Sequence, residues 1–157
     1  METRIRIARE AIVPGLLAGA VGGILIDVYL LIVLVAIAHA VSLVGFYQFV
    51  ASSLIGRDAY ADPNTAWLGL LLHITASLAW GVGYAALAAQ NEQIRPRPIV
   101  SGTVFGIVVM LAMQLVEVAA NIYTLPDTFG LANALVAHIV FFGIPVAYVA
   151  RARLSRS

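Results

Sequence analysis

The sequence predicts an all-α polytopic membrane protein, four transmembrane helices in an up-down bundle with a short interfacial helix after the first. Three observations carry this prediction. The chain of 157 residues is 62% hydrophobic and only 11% charged, whereas a soluble domain is about half apolar and about a quarter charged. Its apolar residues fall in long runs: between residues 11 and 56 the only charged side chain is Asp27, and roughly 20 apolar residues already cross about 30 Å of hydrocarbon. Its basic residues cluster at the ends of those runs.

Taken in order, the first span is expected over residues 11–40, with Pro14 tolerated in its first turn. Arg4, Arg6 and Arg9 ahead of an apolar run, and Ala38-His39-Ala40 behind it, imitate a cleaved signal peptide. The apolar core of such a peptide is only about 7 to 15 residues, so a retained span is the better reading. In residues 42–56, Leu43, Phe46, Tyr47, Val50 and Leu54 share one helical face while Ser42, Gln48 and Ser52 lie elsewhere, the pattern of a surface or re-entrant helix. Asp58, Asp62, Pro63 and Asn64 form a polar loop. The second span follows over residues 65–90 and ends at Asn91, Glu92, Arg95, Pro96 and Arg97. The third is expected over 98–123, and a turn at Leu125, Pro126, Asp127 and Thr128 leads into the fourth, over 129–150. Arg151, Arg153 and Arg156 close the chain, and 1–157 reads as a single transmembrane domain.

The N-terminus, the 91–97 loop and the C-terminus are basic, while the other two connections carry mainly Asp. The positive-inside rule therefore places both termini in the cytoplasm and the long loop outside. An internal echo runs through the pattern. Pro14 with Gly19 and Gly23 resembles Pro98 with Gly102 and Gly106, and the stretch from His73 to Tyr84 resembles that from His138 to Tyr148, suggesting two duplicated helical hairpins. The four glycines have the spacing that lets helix backbones approach closely in lipid, and they are the expected packing positions.

Each span carries one ionisable side chain: Asp27, His73, Glu117 and His138. Such groups cost about 2.5 to 3.5 kcal/mol to insert and mark candidate functional sites. Counted from the helix ends, all four fall in one layer toward the outer leaflet, with the second and fourth spans diagonal across the bundle. Four chemistries remain open. Two imidazoles and two carboxylates suit a divalent metal ion such as zinc, manganese or iron. His73 and His138 on parallel helices, flanked by Gly81, Gly83 and Gly143, suit the axial ligation of haem b. The same residues suit a proton or ion relay, or else pair off to lock the bundle without any cofactor. Ser77, Trp80 and Tyr84 follow His73 at helical spacing, and Met113, Gln114 and Asn121 flank Glu117, forming two polar stripes expected to face inward. Met110 and Met113 read as packing, His39 as a solvated boundary residue, and Asp58, Asp62 and Asp127 as loop and capping residues.

A formal charge of +1 gives no footprint for nucleic acid. The lack of cysteine excludes disulfides and thiol chemistry, and no nucleophile triad or phosphate-binding loop is present, so hydrolase and nucleotide chemistry have no support; for a membrane enzyme acting on lipid the polar layer near one leaflet is the sole support. The partners expected are the lipid bilayer and a second copy of the chain or a larger membrane complex.

At His73, Ser77 and the segment Gly81-Val82-Gly83-Tyr84, then at Gly102 and Gly106, then at His138 with Arg151 and Arg153 behind it, the chain resembles the YagU-like family of small bacterial inner-membrane proteins. The resemblance covers the second to fourth spans. It implies a multi-pass protein of the bacterial cytoplasmic membrane, brings no activity with it, and draws attention to His73 and His138.

Overall fold

Long apolar segments can satisfy their backbone groups without water only by folding into helices, and this chain does so nearly throughout. A computed structural model describes residues 2–155, with side chains from Glu10 onward. The side chains of Arg4, Arg6 and Arg9, and all of Arg156, lie outside the described residues. The helices are α1 (Glu2–Leu30), continued by a π-helical end Leu31–Ile37, then α2 (Leu43–Ile55), α3 (Thr65–Gln90) and α4 (Pro98–Ala119). After these, α5 (Thr128–Val136) runs through a π-helical segment, Ala137–Gly143, into α6 (Ile144–Leu154) as one rod. Among the described residues, four stretches are long and apolar enough to cross a membrane: Glu10–Ile37, Thr65–Gln90, Pro98–Ala119 and Thr128–Leu154.

The boundaries differ from expectation where caps and turns decide them. α1 starts at Glu2, so Pro14 sits inside the helix and not in its first turn. α4 stops at Ala119, short of 123, because Asn121 takes up a left-handed conformation with φ of 57°, which Asn tolerates better than most residues. Asp127 caps α5, its carboxylate accepting from Gly130 N at 2.7 Å, and Ser42 caps α2 by accepting from Gly45 N at 3.0 Å. Buried Gln48 ties α2 to the following loop by donating to Ala59 O at 3.0 Å and Asp62 O at 3.2 Å.

α1 packs along α3 and also against the fourth rod, α4 packs against the fourth rod, and α3 packs against α6. The second and fourth spans therefore touch and are not diagonal. α3 and α4, although consecutive, are not a closely packed pair.

Two glycine-lined seams hold the bundle together, and they share one geometry. A Cβ placed on Gly81 would land on the Gly15 carbonyl and the Gly19 amide; one placed on Gly143 would land on the Gly102 carbonyl and the Gly106 amide. Reciprocally, a Cβ on Gly19 would lie 2.8 Å from the Cα of Leu78, and one on Gly106 would lie 2.8 Å from that of Ile139. Gly15 meets Val82 as Gly102 meets Ile144. The echo in the sequence is thus matched one helical turn away from its apparent register: Gly15 and Gly19, not Gly19 and Gly23, occupy the places of Gly102 and Gly106. From 78 to 82 is four residues and from 139 to 144 is five, and the π-helical segment Ala137–Gly143 accommodates the extra residue.

Because backbone, not a flexible side chain, occupies the space at Gly81 and Gly106, alanine at either position must push two helices apart. Gly81→Ala and Gly106→Ala should each lower stability by about 1 to 3 kcal/mol, read as a lower melting temperature of the detergent-solubilised protein. Gly83, with nothing within 4 Å, should accept alanine without loss; equal effects at all three positions would contradict the seams.

Candidate functional site

The first seam creates the site. Gly23 lets Ser77 approach so closely that a Cβ on Gly23 would lie 2.8 Å from the Ser77 Cβ. One turn beyond Gly23 on α1 is Asp27, and one turn before Ser77 on antiparallel α3 is His73. Side chains four residues apart share a helix face, so the two ionisable residues meet. His73 Nε2 and Asp27 Oδ1 stand 3.1 Å apart, with side chains 18% and 16% exposed. Both atoms are shielded from solvent, and neither is aligned in a hydrogen bond with any described residue. The contact is an electrostatic pair at ion-pair distance.

The other carboxylate oxygen has a donor from α2. That helix crosses α3 at Gly69, where a Cβ would strike the Tyr47 carbonyl, one turn from His73. The crossing sends the Tyr47 hydroxyl to Asp27 Oδ2 at 3.3 Å. Burial first, then the adjacent Asp27 carboxylate, push the Tyr47 phenol up to about 12. It therefore remains a protonated donor across the physiological range.

His138 lies on the fourth rod, in its π-helical segment. Its Nδ1 lies 2.9 Å from Ala134 O; a carbonyl can only accept, so Nδ1 carries the proton and a neutral ring keeps its lone pair on Nε2. Glu117 is half-buried on α4, away from the α1–α3 seam. Among the described residues no group of three or more His, Asp or Glu is placed to hold a metal ion. The expected set of Asp27, His73, Glu117 and His138 around one cation is not assembled, because α4 contacts the fourth rod and not the seam where Asp27 and His73 meet.

The room expected for haem is also taken. Gly81 and Gly143 each lie against the backbone of another helix, and the open space at Gly83 faces outward. The polar stripe after His73 divides between two neighbours: Ser77 faces α1, whereas Tyr84 shares a hydrogen bond of 2.7 Å with Ser101 on α4, and Trp80 packs edge-on against Phe105 at 6.0 Å. Asn121 lies in the turn after α4 and leaves the Glu117 stripe.

The seam equivalence shows why only one half carries the pair. Gln114 lies twelve residues after Gly102, as Asp27 lies twelve after Gly15. Gly106 meets the His138 carbonyl as Gly19 meets that of Ser77. One turn earlier, Ala134 therefore corresponds to His73. The second seam has Gln114 and Ala134 where the first has Asp27 and His73, and His138 corresponds to Ser77.

Sequence reasoning missed Tyr47 as a partner of Asp27, along with Gly15, Gly69, Gly81 and Gly143 as close-approach positions. The short connection between α2 and α3 was the available signal for Tyr47, since it folds α2 back on α3.

No family model, curated protein or solved structure matches the chain. Nothing in these comparisons identifies a YagU-like family, and the functional reading rests on the geometry of the site.

The Tyr47 contact is testable by a double-mutant cycle. Tyr47→Phe and Asp27→Asn should couple by about 1.5 to 3 kcal/mol, the worth of a hydrogen bond to a charged group, in unfolding of the protein in mixed micelles. Strict additivity would contradict the contact.

Proposed function

We propose that this chain is a multi-pass protein of the bacterial cytoplasmic membrane, with both termini cytoplasmic, whose Asp27–His73 pair takes up and passes on protons. The carrying observation is the pair itself: an imidazole nitrogen and a carboxylate oxygen at 3.1 Å, both shielded and neither committed to another hydrogen bond. Four apolar spans and the distribution of arginine support the location and orientation. The matched glycine seams support a duplicated pair of helical hairpins.

His73 lies eight residues into α3 and Asp27 ten before Ile37, or about 12 to 15 Å below the outer helix ends at about 1.5 Å per residue. There an unpaired charge is costly, whereas the pair is neutral either as carboxylate with imidazolium or as carboxylic acid with imidazole. A proton shifts between those two states without changing net charge. Tyr47 supports the charged state by donating to Asp27. Toward the cytoplasmic side the seam is closed at Gly19, Gly23 and Ser77. The pair thus holds a proton rather than lining an open pore, and passage inward requires α1 and α3 to loosen.

Proteoliposomes carrying a pH-sensitive dye test the proposal. An imposed pH gradient should decay faster with the wild-type protein than in empty vesicles, and Asp27→Asn and His73→Gln should each remove the difference. A wild-type rate equal to that of empty vesicles, or full flux in both variants, would reject it. If the pair only fixes helix packing, the variants should lose thermal stability with no flux to lose.

A further inference from the structure

α3 and α4, the two spans joined by the basic 91–97 turn, are not closely packed. Between them runs a cleft of about 460 Å³. Its walls are apolar, with Leu87, Val100 and Val104 exposed along the rim and the aromatic ring of Phe105 forming the floor. Trp80 ends the cleft on α3 and Val108 ends it on α4. At the other end the lining turns polar, through Asn91, Gln93 and the exposed guanidinium of Arg97. Glu92, Arg95 and Arg151 border an adjoining hollow, two guanidinium groups against one carboxylate, and Arg151 reaches back to the Pro96 carbonyl at 3.4 Å.

Length and charge together define what fits. From Asn91 to Trp80 and from Arg97 to Val108 are eleven residues each, about 16 Å of helix at about 1.5 Å per residue. That is the depth of one leaflet, half of about 30 Å of hydrocarbon. The cleft is apolar along that depth and cationic only at its mouth. We propose that the α3–α4 cleft binds an anionic phospholipid, one acyl chain lying between the helices from the basic turn down to Trp80 and the phosphate held at Arg97 and Arg95. Ser101 does not compete for the headgroup, because its hydroxyl is engaged by Tyr84 and by the Arg97 carbonyl at 2.8 Å. This assignment rests on the four apolar helices being membrane spans, and not on proton transfer at Asp27 and His73.

Trp80 and Trp67 are the two tryptophans, so Trp67→Phe leaves Trp80 as a single reporter inside the cleft. That protein is placed in phosphatidylcholine vesicles containing equal small fractions of either phosphatidylglycerol or phosphatidylcholine brominated in the distal half of the acyl chain. Brominated phosphatidylglycerol should quench Trp80 more strongly, with an occupancy preference of about fivefold per arginine engaged. Arg95→Gln with Arg97→Gln, both in the turn outside the helix seams, should reduce quenching to the phosphatidylcholine level. Equal quenching by the two lipids would overturn the lipid site while leaving the membrane spans intact. Quenching by neither would place Trp80 outside the bilayer and overturn both. Preferential quenching that survives the double arginine substitution would reject the headgroup assignment.

Discussion

Close approach of helix backbones at glycine is the constraint on which the bundle depends. In lipid no hydrophobic gain separates a helix–helix contact from a helix–lipid contact, so association relies on packing and on polar contacts that packing allows. Gly15, Gly19 and Gly81 provide this in one half, and Gly102, Gly106 and Gly143 in the other. The polar site follows directly from the first seam. Asp27 and His73 meet because each stands one turn from Gly23 or Ser77, where α1 and α3 are pressed together. A wider seam would leave the same residues at the same depth but beyond ion-pair distance.

The two halves use one scaffold for different purposes. Gln114 and Ala134 at the second seam keep the packing and omit the charge. His138 stands at the place of Ser77, on a rod that also packs against α1 and α3. The π-helical segment contributes by holding one more residue between the same two contacts, which sets His138 and Gly143 in a register that an uninterrupted α-helix would not provide.

What was legible in the sequence follows from what one-dimensional pattern encodes. Hydrophobic length specifies four long apolar helices, and rise per residue gives a height along each, which is why Asp27, His73, Glu117 and His138 were expected in one layer. Rotation about each helix axis is not encoded by depth. A residue turns through about 100° per position, and whether Glu117 faces the seam depends on which helices touch, a matter of close packing at glycines spread over the whole chain. The same limit explains the misassigned stripe: Ser77, Trp80 and Tyr84 share helical spacing, yet α1 and α4 approach α3 from different sides and divide them. Tyr47 was hidden for another reason. Its helix has the composition of a surface element, and only the crossing at Gly69 sends its hydroxyl inward.

The open contact between α3 and α4 is the counterpart of the tight seams. Neither facing surface has a glycine pair bringing the two backbones together; instead Trp80, Tyr84 and Phe105 meet across the gap through ring edges. Aromatic side chains hold helices at a distance while glycines draw them in. A bundle with two close seams and one aromatic spacer must leave a groove on the spacer side, and the connecting turn places arginines at its mouth. The fold therefore separates its polar chemistry, sealed in the α1–α3 seam, from an amphipathic groove open between α3 and α4. Because α3 borders both, a displacement of α3 toward α4 would narrow the groove and loosen the seam beneath Asp27 and His73.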